Sequence, residues 1–83
     1  MIFKVTKTLI SNGIIGKCQY CPVSLSIKEK LNTDTVMITH NSIGIKYPEG
    51  KYTFLEIPAN VKRFVMDFDA GKPVSPFEFQ LDI

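Results

Sequence analysis

Two cysteines separated by two residues, Cys18 and Cys21, have the spacing in this chain that is most typical of a chemical motif. A structural zinc site needs four ligands, usually two such pairs or one pair and two histidines. The chain contains one histidine, His40, so a zinc ion would also need a carboxylate or a second chain. We therefore predict that the chain binds no metal and no other cofactor. If a metal were bound, Cys18, Cys21 and His40 would be the candidate ligands.

The cysteine pair also allows a redox interpretation. A helix N-terminus stabilises a thiolate, and Pro22 after Cys21 suits a helix start. Dithiol sites of the thioredoxin type follow a β-strand, however, whereas this pair follows a loop that contains glycine. The alternative without chemistry is a small buried group at Cys21 and a loop thiol at Cys18. We favour that alternative.

The remaining polar residues do not form a catalytic arrangement. Asp67 and Asp69 are separated by one residue, so they cannot lie on the same face of a helix. Paired catalytic carboxylates, by contrast, must converge on a substrate. We expect Asp69 to accept a hydrogen bond from the backbone of the turn at Gly71 and Lys72. His40 lies in a predicted turn without an acidic neighbour that could orient it. The chain also lacks a phosphate-binding glycine loop and a nucleophile elbow, so we predict that it is not an enzyme.

Tyrosines beside lysines form the predicted binding surface. Two tyrosines flank a turn at Pro48–Gly50, and each has a lysine as its neighbour. Such pairs suit binding of a nucleotide, an oligonucleotide or a protein, although tyrosines also cover a core with the ring and keep the hydroxyl in water. Leu25 joins the set because it points off the apolar stripe of its predicted helix. The predicted surface comprises Tyr47, Tyr52, Lys46, Lys51 and Leu25.

The elements that position these residues follow from periodicity. Apolar residues recur at helical spacing in the segment 58–70, and Gly71 suits the position just past its end. Strict alternation then predicts a strand from Phe77 to Ile83. A second helix is predicted over 21–31, although residues 23–27 alone alternate as a strand would. A short helical turn capped by Thr6 is predicted at 7–12, with a longer strand through Ile10 as the alternative.

Further strands are predicted at residues 2–5, 35–39, 42–47 and 51–57, with Gly44 marking a bulge or a close backbone approach. The predicted fold class is α+β: a small two-layer domain with a mainly antiparallel sheet in the order β-α-β-β-β-α-β. The helices at about 21–31 and 58–70 are expected on one face of the sheet. Residues 1–83 are expected to form a single globular domain.

Composition and charge narrow the function classes. The net charge is +2, which is too small to argue for nucleic acid, and nearly all basic residues are lysines, whereas base and phosphate recognition favours arginine. No apolar run approaches the length of a membrane helix, and the N-terminal residues are too polar for a signal peptide. We therefore expect a cytoplasmic protein that does not associate with membranes.

Two segments resemble a known group of proteins. Residues 18–27 resemble a helix entry of the form C-x-x-C-P-[IV]-x-L-x-[IL]. Residues 64–81 resemble a C-terminal signature of the form F-[IV]-x-x-F-D-x-G-x-x-V-x-P-F-x-F-x-L. Both are similar to a group of small uncharacterised proteins of tailed phages and bacteria. The resemblance implies the helix at 21–31 and a phage-encoded accessory protein working in the host cytoplasm, and it implies no activity.

Three functions remain open at this stage. The first is a small non-enzymatic binding protein, phage-encoded, that modulates or inhibits a host protein. The second is nucleic-acid or nucleotide binding through the lysine and tyrosine surface, and the third is a metal or redox role for Cys18 and Cys21. We also expect that the chain can form homo-oligomers, because an open sheet edge and Leu25 need covering.

Overall fold

A computed structural model describes residues 1–83 as three helices and five strands. In chain order they are β1 (Ile2–Val5), α1 (Lys7–Asn12), α2 (Pro22–Leu31), β2 (Thr35–Ile38), β3 (Ser42–Lys46), β4 (Tyr52–Glu56), α3 (Ala59–Asp69) and β5 (Phe77–Gln80). Every strand pair is antiparallel, which confirms the predicted α+β class. Each helix is too short or too polar to cross a lipid bilayer.

The strands divide between two sheets, which the sequence did not predict. β1 pairs with β5, and β2, β3 and β4 form a separate three-stranded meander. Helix α2 packs against both β1 and β2. Its Ser24 hydroxyl donates to the carbonyl of Val36 at 3.2 Å, and its Lys30 amine donates to the carbonyl of Ile2. These contacts make α2 the element that joins the two sheets.

Helix α2 is helical because its ends are capped and its small residues pack closely. The Cys21 thiol accepts a hydrogen bond from the backbone N–H of Ser24 at 3.5 Å, and Pro22 occupies the first turn. Asn32 ends the helix in the left-handed conformation, with a φ of 53°. Ser24 and Ser26 are buried, and their small side chains let the helix lie close to the strands beside it.

Helix α1 confirms the predicted short helical turn over the alternative of a longer strand. The hydroxyl of Thr6 accepts a hydrogen bond from the N–H of Leu9 at 3.2 Å, as in an N-cap. Gly13 follows the helix where three elements meet. A Cβ atom at Gly13 would lie 2.6 Å from the Cδ of Pro22 and 3.1 Å from the ring of Phe68, so only glycine fits there.

Helix α3 buries one face, as its periodicity predicts. Pro58 is the residue before the helix rather than part of its first turn, and Gly71 after the helix has a φ of 74°. The ring of Phe64 stacks on that of Phe77 with centroids 4.7 Å apart, which joins α3 to β5. The core comprises Phe3, Val5, Cys21, Val23, Ile27, Val36, Ile38, Ile43, Ile45, Val61, Phe64, Val65, Phe68, Phe79 and Leu81.

Two tight turns set the register of the three-stranded sheet. In the turn before β4, the N–H of Gly50 donates to the carbonyl of Tyr47 at 2.9 Å, which confirms the predicted turn. In the turn before β3, the Thr39 hydroxyl accepts from the N–H groups of Asn41 and Ser42. The threonine hydroxyl closes this turn without any residue in the left-handed conformation.

Candidate binding face

One side of the three-stranded sheet packs on the core, and the other side is exposed. The four core-facing residues of β2 and β3 are at most 4% exposed. We call the opposite side the outer face. It consists of Thr35, Met37, Ser42, Gly44, Lys46, Tyr52, Phe54 and Glu56. Its large apolar side chains are 44% (Met37), 62% (Tyr52) and 75% (Phe54) exposed.

The centre of the outer face is a row across all three strands. Met37 pairs with Gly44, and Gly44 pairs with Phe54. A Cβ atom at Gly44 would lie 3.1 Å and 3.3 Å from two ring atoms of Phe54, so the ring lies against the glycine backbone. Gly44 forms no bulge, and the group that approaches it closely is an aromatic side chain, not the backbone of another strand. An aromatic ring over a cross-strand glycine restores part of the packing that the missing side chain would provide.

The neighbouring row places a cation over an aromatic ring. Lys46 and Tyr52 are directly paired across β3 and β4, and the lysine amine lies 5.6 Å from the centre of the tyrosine ring. At this distance the contact is a cation–π interaction. The amine of this β3 residue therefore lies near a side chain of β4, which is the edge strand of the sheet.

The structure brings together only part of the predicted surface. Lys46 and Tyr52 are neighbours on the outer face, as described. Tyr47 is half-buried and packs against the core, on the other side of the sheet. Lys51 is exposed at the turn, where its carbonyl accepts from the N–H of Tyr47 at 2.8 Å. Leu25 is half-buried on α2 and does not belong to the sheet.

Among the large apolar residues of the outer face, sequence reasoning missed Phe54 and Met37. Phenylalanine is usually buried, yet Phe54 is among the most exposed side chains of the chain. The available signal was alternation: Phe54 shares its parity with Tyr52 and Glu56, and a strand places such residues on one side. Met37 could have been found in the same way, between the buried Val36 and Ile38.

The candidate metal ligands border one small pocket. Cys18, Cys21, His40 and Asp69 line a cavity of about 290 Å³ between the loop before α2, the end of β2 and the end of α3. Both cysteines are free, and no group of three or more histidine, cysteine, aspartate or glutamate residues is arranged to hold a metal ion. The residues present do not fit a structural zinc site, which needs four convergent ligands.

The two thiols differ in environment. Cys18 is exposed, whereas Cys21 is buried at the start of α2. Burial raises the pKa of the Cys21 thiol, and this desolvation outweighs the hydrogen bonds from Ser24 that act in the opposite direction. A raised pKa keeps Cys21 as the thiol, which is the opposite of what a nucleophilic or metal-binding thiolate requires.

Asp69 corrects one expectation. Its carboxylate accepts a hydrogen bond from the N–H of Gly16 at 3.3 Å, not from the turn at Gly71 and Lys72. In that turn the N–H of Lys72 donates instead to the carbonyl of Asp67. Asp69 thus ties the loop before α2 to the end of α3, a contact between distant parts of the chain that local turn preferences do not reveal.

The largest groove lies elsewhere, between β1, α1 and α2. Its volume is about 810 Å³, and polar and charged residues predominate in its lining. Lys4 lies 3.9 Å from the carboxylate of Glu78, and Lys30 is bonded to the carbonyl of Ile2. Small-molecule sites are mostly apolar with a few convergent polar groups, so this open groove is a poor candidate for one.

Comparison with known proteins adds no assignment. The chain matches no protein-family model, no curated protein and no solved structure. The exposed side chains of the outer face are therefore the feature of this chain from which a function can be inferred.

Proposed function

We propose that this chain is a small, non-enzymatic binding protein and that the outer face contacts a protein partner. The observation that carries the proposal is the exposure of Phe54 and Tyr52 next to Met37, on a sheet whose other side is a closed core. Contiguous exposed apolar side chains mark interaction sites, and aromatic residues and methionine are enriched in protein interfaces. Tyrosine and phenylalanine are both enriched in the cores of protein interfaces, and tyrosine is among the residues that contribute most binding energy there.

The charges around these anchors describe the partner. Lys46 lies beside Tyr52 and borders one pocket with Asp34, and Lys51 and Glu49 are exposed at the adjacent turn, so the rim at that end carries charges of both signs. Glu56 at the other end is acidic, and the row at Gly44 between them is apolar. A complementary partner would present an apolar side chain to Phe54 and an acidic group to Lys46. The resemblance to small phage proteins supports a bacterial host protein, in the host cytoplasm, whose activity the binding modulates or inhibits.

Capture from a bacterial host lysate followed by reconstitution tests this proposal. A captured protein is purified and its dissociation constant is measured with the wild type, with Phe54→Ala and with Met66→Ala. Met66 is the matched control, because it is 50% exposed on α3, away from the sheet. We expect Phe54→Ala to weaken binding by about tenfold or more and Met66→Ala to leave it unchanged.

Circular dichroism checks that both variants are folded. Equal dissociation constants for the wild type and folded Phe54→Ala would overturn the assignment of the outer face, whichever protein is captured.

Single-stranded nucleic acid is the second candidate ligand, favoured by the lysine amine 5.6 Å from the Tyr52 ring. Bases stack on aromatic rings while lysines bind the backbone phosphates. If Lys46 and Lys51 each neutralise one phosphate, the logarithm of the binding constant falls with the logarithm of salt concentration with a slope of about −1.4. Fluorescence anisotropy with a labelled oligothymidylate measures this slope. Binding that is indifferent to salt and to Tyr52→Ala would exclude this candidate.

A further inference from the structure

The strand β4 has one free edge. In the ladder with β3, the N–H of Tyr47 bonds the carbonyl of Lys51, and the N–H of Ile57 bonds the carbonyl of Asn41. Antiparallel strands alternate between bonded and non-bonded positions, so the backbone N–H and C=O groups of Thr53 and Leu55 also point toward β3. The backbone N–H and C=O groups of the residues between them point away from β3. These are Tyr52, Phe54 and Glu56, and none of their backbone groups has a hydrogen bond on that side.

Each of the other three sheet edges has at least one backbone group that is bonded by another part of the chain. At β2, the N–H of Ile38 donates to the carbonyl of Cys18 at 3.1 Å, and the carbonyl of Val36 accepts from a serine of α2. At β1, the carbonyl of Ile2 accepts from a lysine of α2. At β5, the side chain of Asn60 donates to the carbonyl of Glu78 at 3.2 Å. Only the β4 edge lacks such a contact.

The burial of β4 agrees with an open edge. None of its five residues is buried, whereas β3 beside it has two fully buried isoleucines. Exposed edges of this kind pair readily with another strand, and natural proteins usually cover or blunt them. The flanking charges of Lys51 and Glu56 leave the apolar centre at Phe54 unprotected.

We propose that two copies of this chain pair through β4, antiparallel about a twofold axis at Phe54, to form one continuous six-stranded sheet. A twofold interface requires one surface to complement itself. With the axis at Phe54, the two Phe54 residues lie opposite each other, and Tyr52 lies opposite Glu56 of the second copy. All three residues then use the backbone groups that point out of the sheet.

The charges on the outer face fit this register. The Lys46 amine lies near the Tyr52 ring of β4, the edge strand beside which Glu56 of the second copy would lie. The same contact occurs twice, once on each side of the axis, with an aromatic pair between them. Opposite-charge and aromatic pairs across antiparallel strands both favour a register. A shift of the pairing by one residue would place Phe54 opposite Thr53 or Leu55, whose backbone groups are bonded to β3 and cannot bond a second strand.

Pairing would also enlarge the surface available to a partner. The outer face of one chain measures roughly 14 Å by 17 Å, or about 240 Å² from strand spacing and rise. A standard protein interface uses about 800 Å² from each partner. The dimer sheet doubles the outer face and places both copies of Met37 and Tyr52 on one side. The pairing concerns the purified chain alone, so it can fail independently of the proposed partner binding, and the converse also holds.

Charge reversal tests the register in solution. Analytical ultracentrifugation over a wide concentration range should show a monomer–dimer equilibrium for the wild type. Lys46→Glu and Glu56→Lys should each weaken dimerisation by about tenfold, because each creates two like-charge contacts. An equimolar mixture of the two variants should restore it, because both contacts in the mixed dimer join opposite charges. A mixture no better than either variant alone would overturn this register.

Crosslinking tests the axis without relying on charge. In a Cys18→Ser background, Phe54→Cys should form an intermolecular disulfide on mild oxidation, because paired Cα atoms at bonded positions are about 5.5 Å apart, within disulfide range. Met66→Cys, on the exposed side of α3, is the control. A wild type that stays monomeric at the highest concentration, with no more crosslinking at residue 54 than at residue 66, would overturn the dimer. In that case the β4 edge would be free for a strand from another protein.

Discussion

The two sides of the three-stranded sheet both carry large apolar side chains, but these differ in solvent exposure. The inner side presents Ile43 and Ile45 at 0% exposure, whereas the outer side presents Tyr52 and Phe54 at more than half. Both sides contain large apolar groups, so composition alone does not decide which side is buried. What differs is cover: the helices and the second sheet supply packing partners to one side only. An exposed apolar side chain without such a packing partner is therefore a site where another molecule can bind and bury it.

The largest difference should appear when one side chain is truncated on each side of the sheet. Ile45→Ala removes fully buried atoms and should lower the free energy of unfolding by about 2–5 kcal/mol. Met37→Ala removes atoms that are already 44% exposed and should change it by less than about 0.5 kcal/mol. Urea denaturation followed by circular dichroism measures both. Equal losses would mean that the outer face is packed as tightly as the inner one.

Two glycines give a second, smaller contrast. Gly13→Ala would place a Cβ atom 2.6 Å and 2.7 Å from the rigid ring of Pro22, and should lower the free energy of unfolding by about 1–3 kcal/mol. Gly44→Ala would meet only the exposed ring of Phe54, which can swing into solvent. We therefore expect a smaller loss for Gly44→Ala in the same urea assay. A larger loss there would show that Phe54 cannot move, and that the outer face is rigid.

The two cysteines allow a comparison of the chemical reactivity of an exposed side chain and a buried one. We expect iodoacetamide to alkylate Cys18 quickly and Cys21 only when the chain unfolds, because Cys21 is buried and its thiol has a raised pKa. Mass spectrometry of timed digests measures both rates. Rapid modification of Cys21 in the folded protein would show that its pocket opens, and would revive a chemical role for the pair.

The smallest expected effect follows from the raised pKa of the Cys21 thiol, which makes the stability of the fold depend on pH in the alkaline range. Below the ordinary thiol pKa of about 8.5, Cys21 is neutral in both the folded and the unfolded chain. Above it, the unfolded chain ionises more readily than the folded one, so stability is lost as the pH rises through the folded pKa. Urea midpoints at pH 7 and pH 10 should therefore fall further for the wild type than for Cys21→Ala. An identical fall in both would contradict this linkage.

Local patterns predicted most of the fold. Thr6 and Cys21 precede their helices as capping residues, and the stripe from Val61 to Phe68 identifies the buried face of α3. Such features depend on residues a few positions apart, which is why they are visible in the sequence. The division into two sheets was not visible, because the pairing of β1 with β5 joins opposite ends of the chain.

The candidate face was only half predicted, for a related reason. Alternation separates Tyr52, Phe54 and Glu56 from Thr53 and Leu55, but each set includes large apolar side chains. Which set faces the core depends on how α3 and the other sheet pack, and these contacts are distant in sequence. Tyr47 and Tyr52 were assigned to one surface because they flank one turn, yet they lie on opposite sides of the sheet. The hydrogen bond between Asp69 and Gly16 was not predicted for the same reason, since the two residues are far apart in the sequence.

The pairing of β1 with β5 has a consequence for the order of folding. Phe3 and Phe79 are paired, and their rings are 5.2 Å apart, so nearly the whole chain must close before this contact forms. Closing such a loop costs about 2 kcal/mol more than closing a tight turn like that between β3 and β4. We therefore expect the meander of β2, β3 and β4 to form early and the two-stranded sheet to form last. In that order, the open edge of β4 is available for pairing with another strand before the rest of the core is complete.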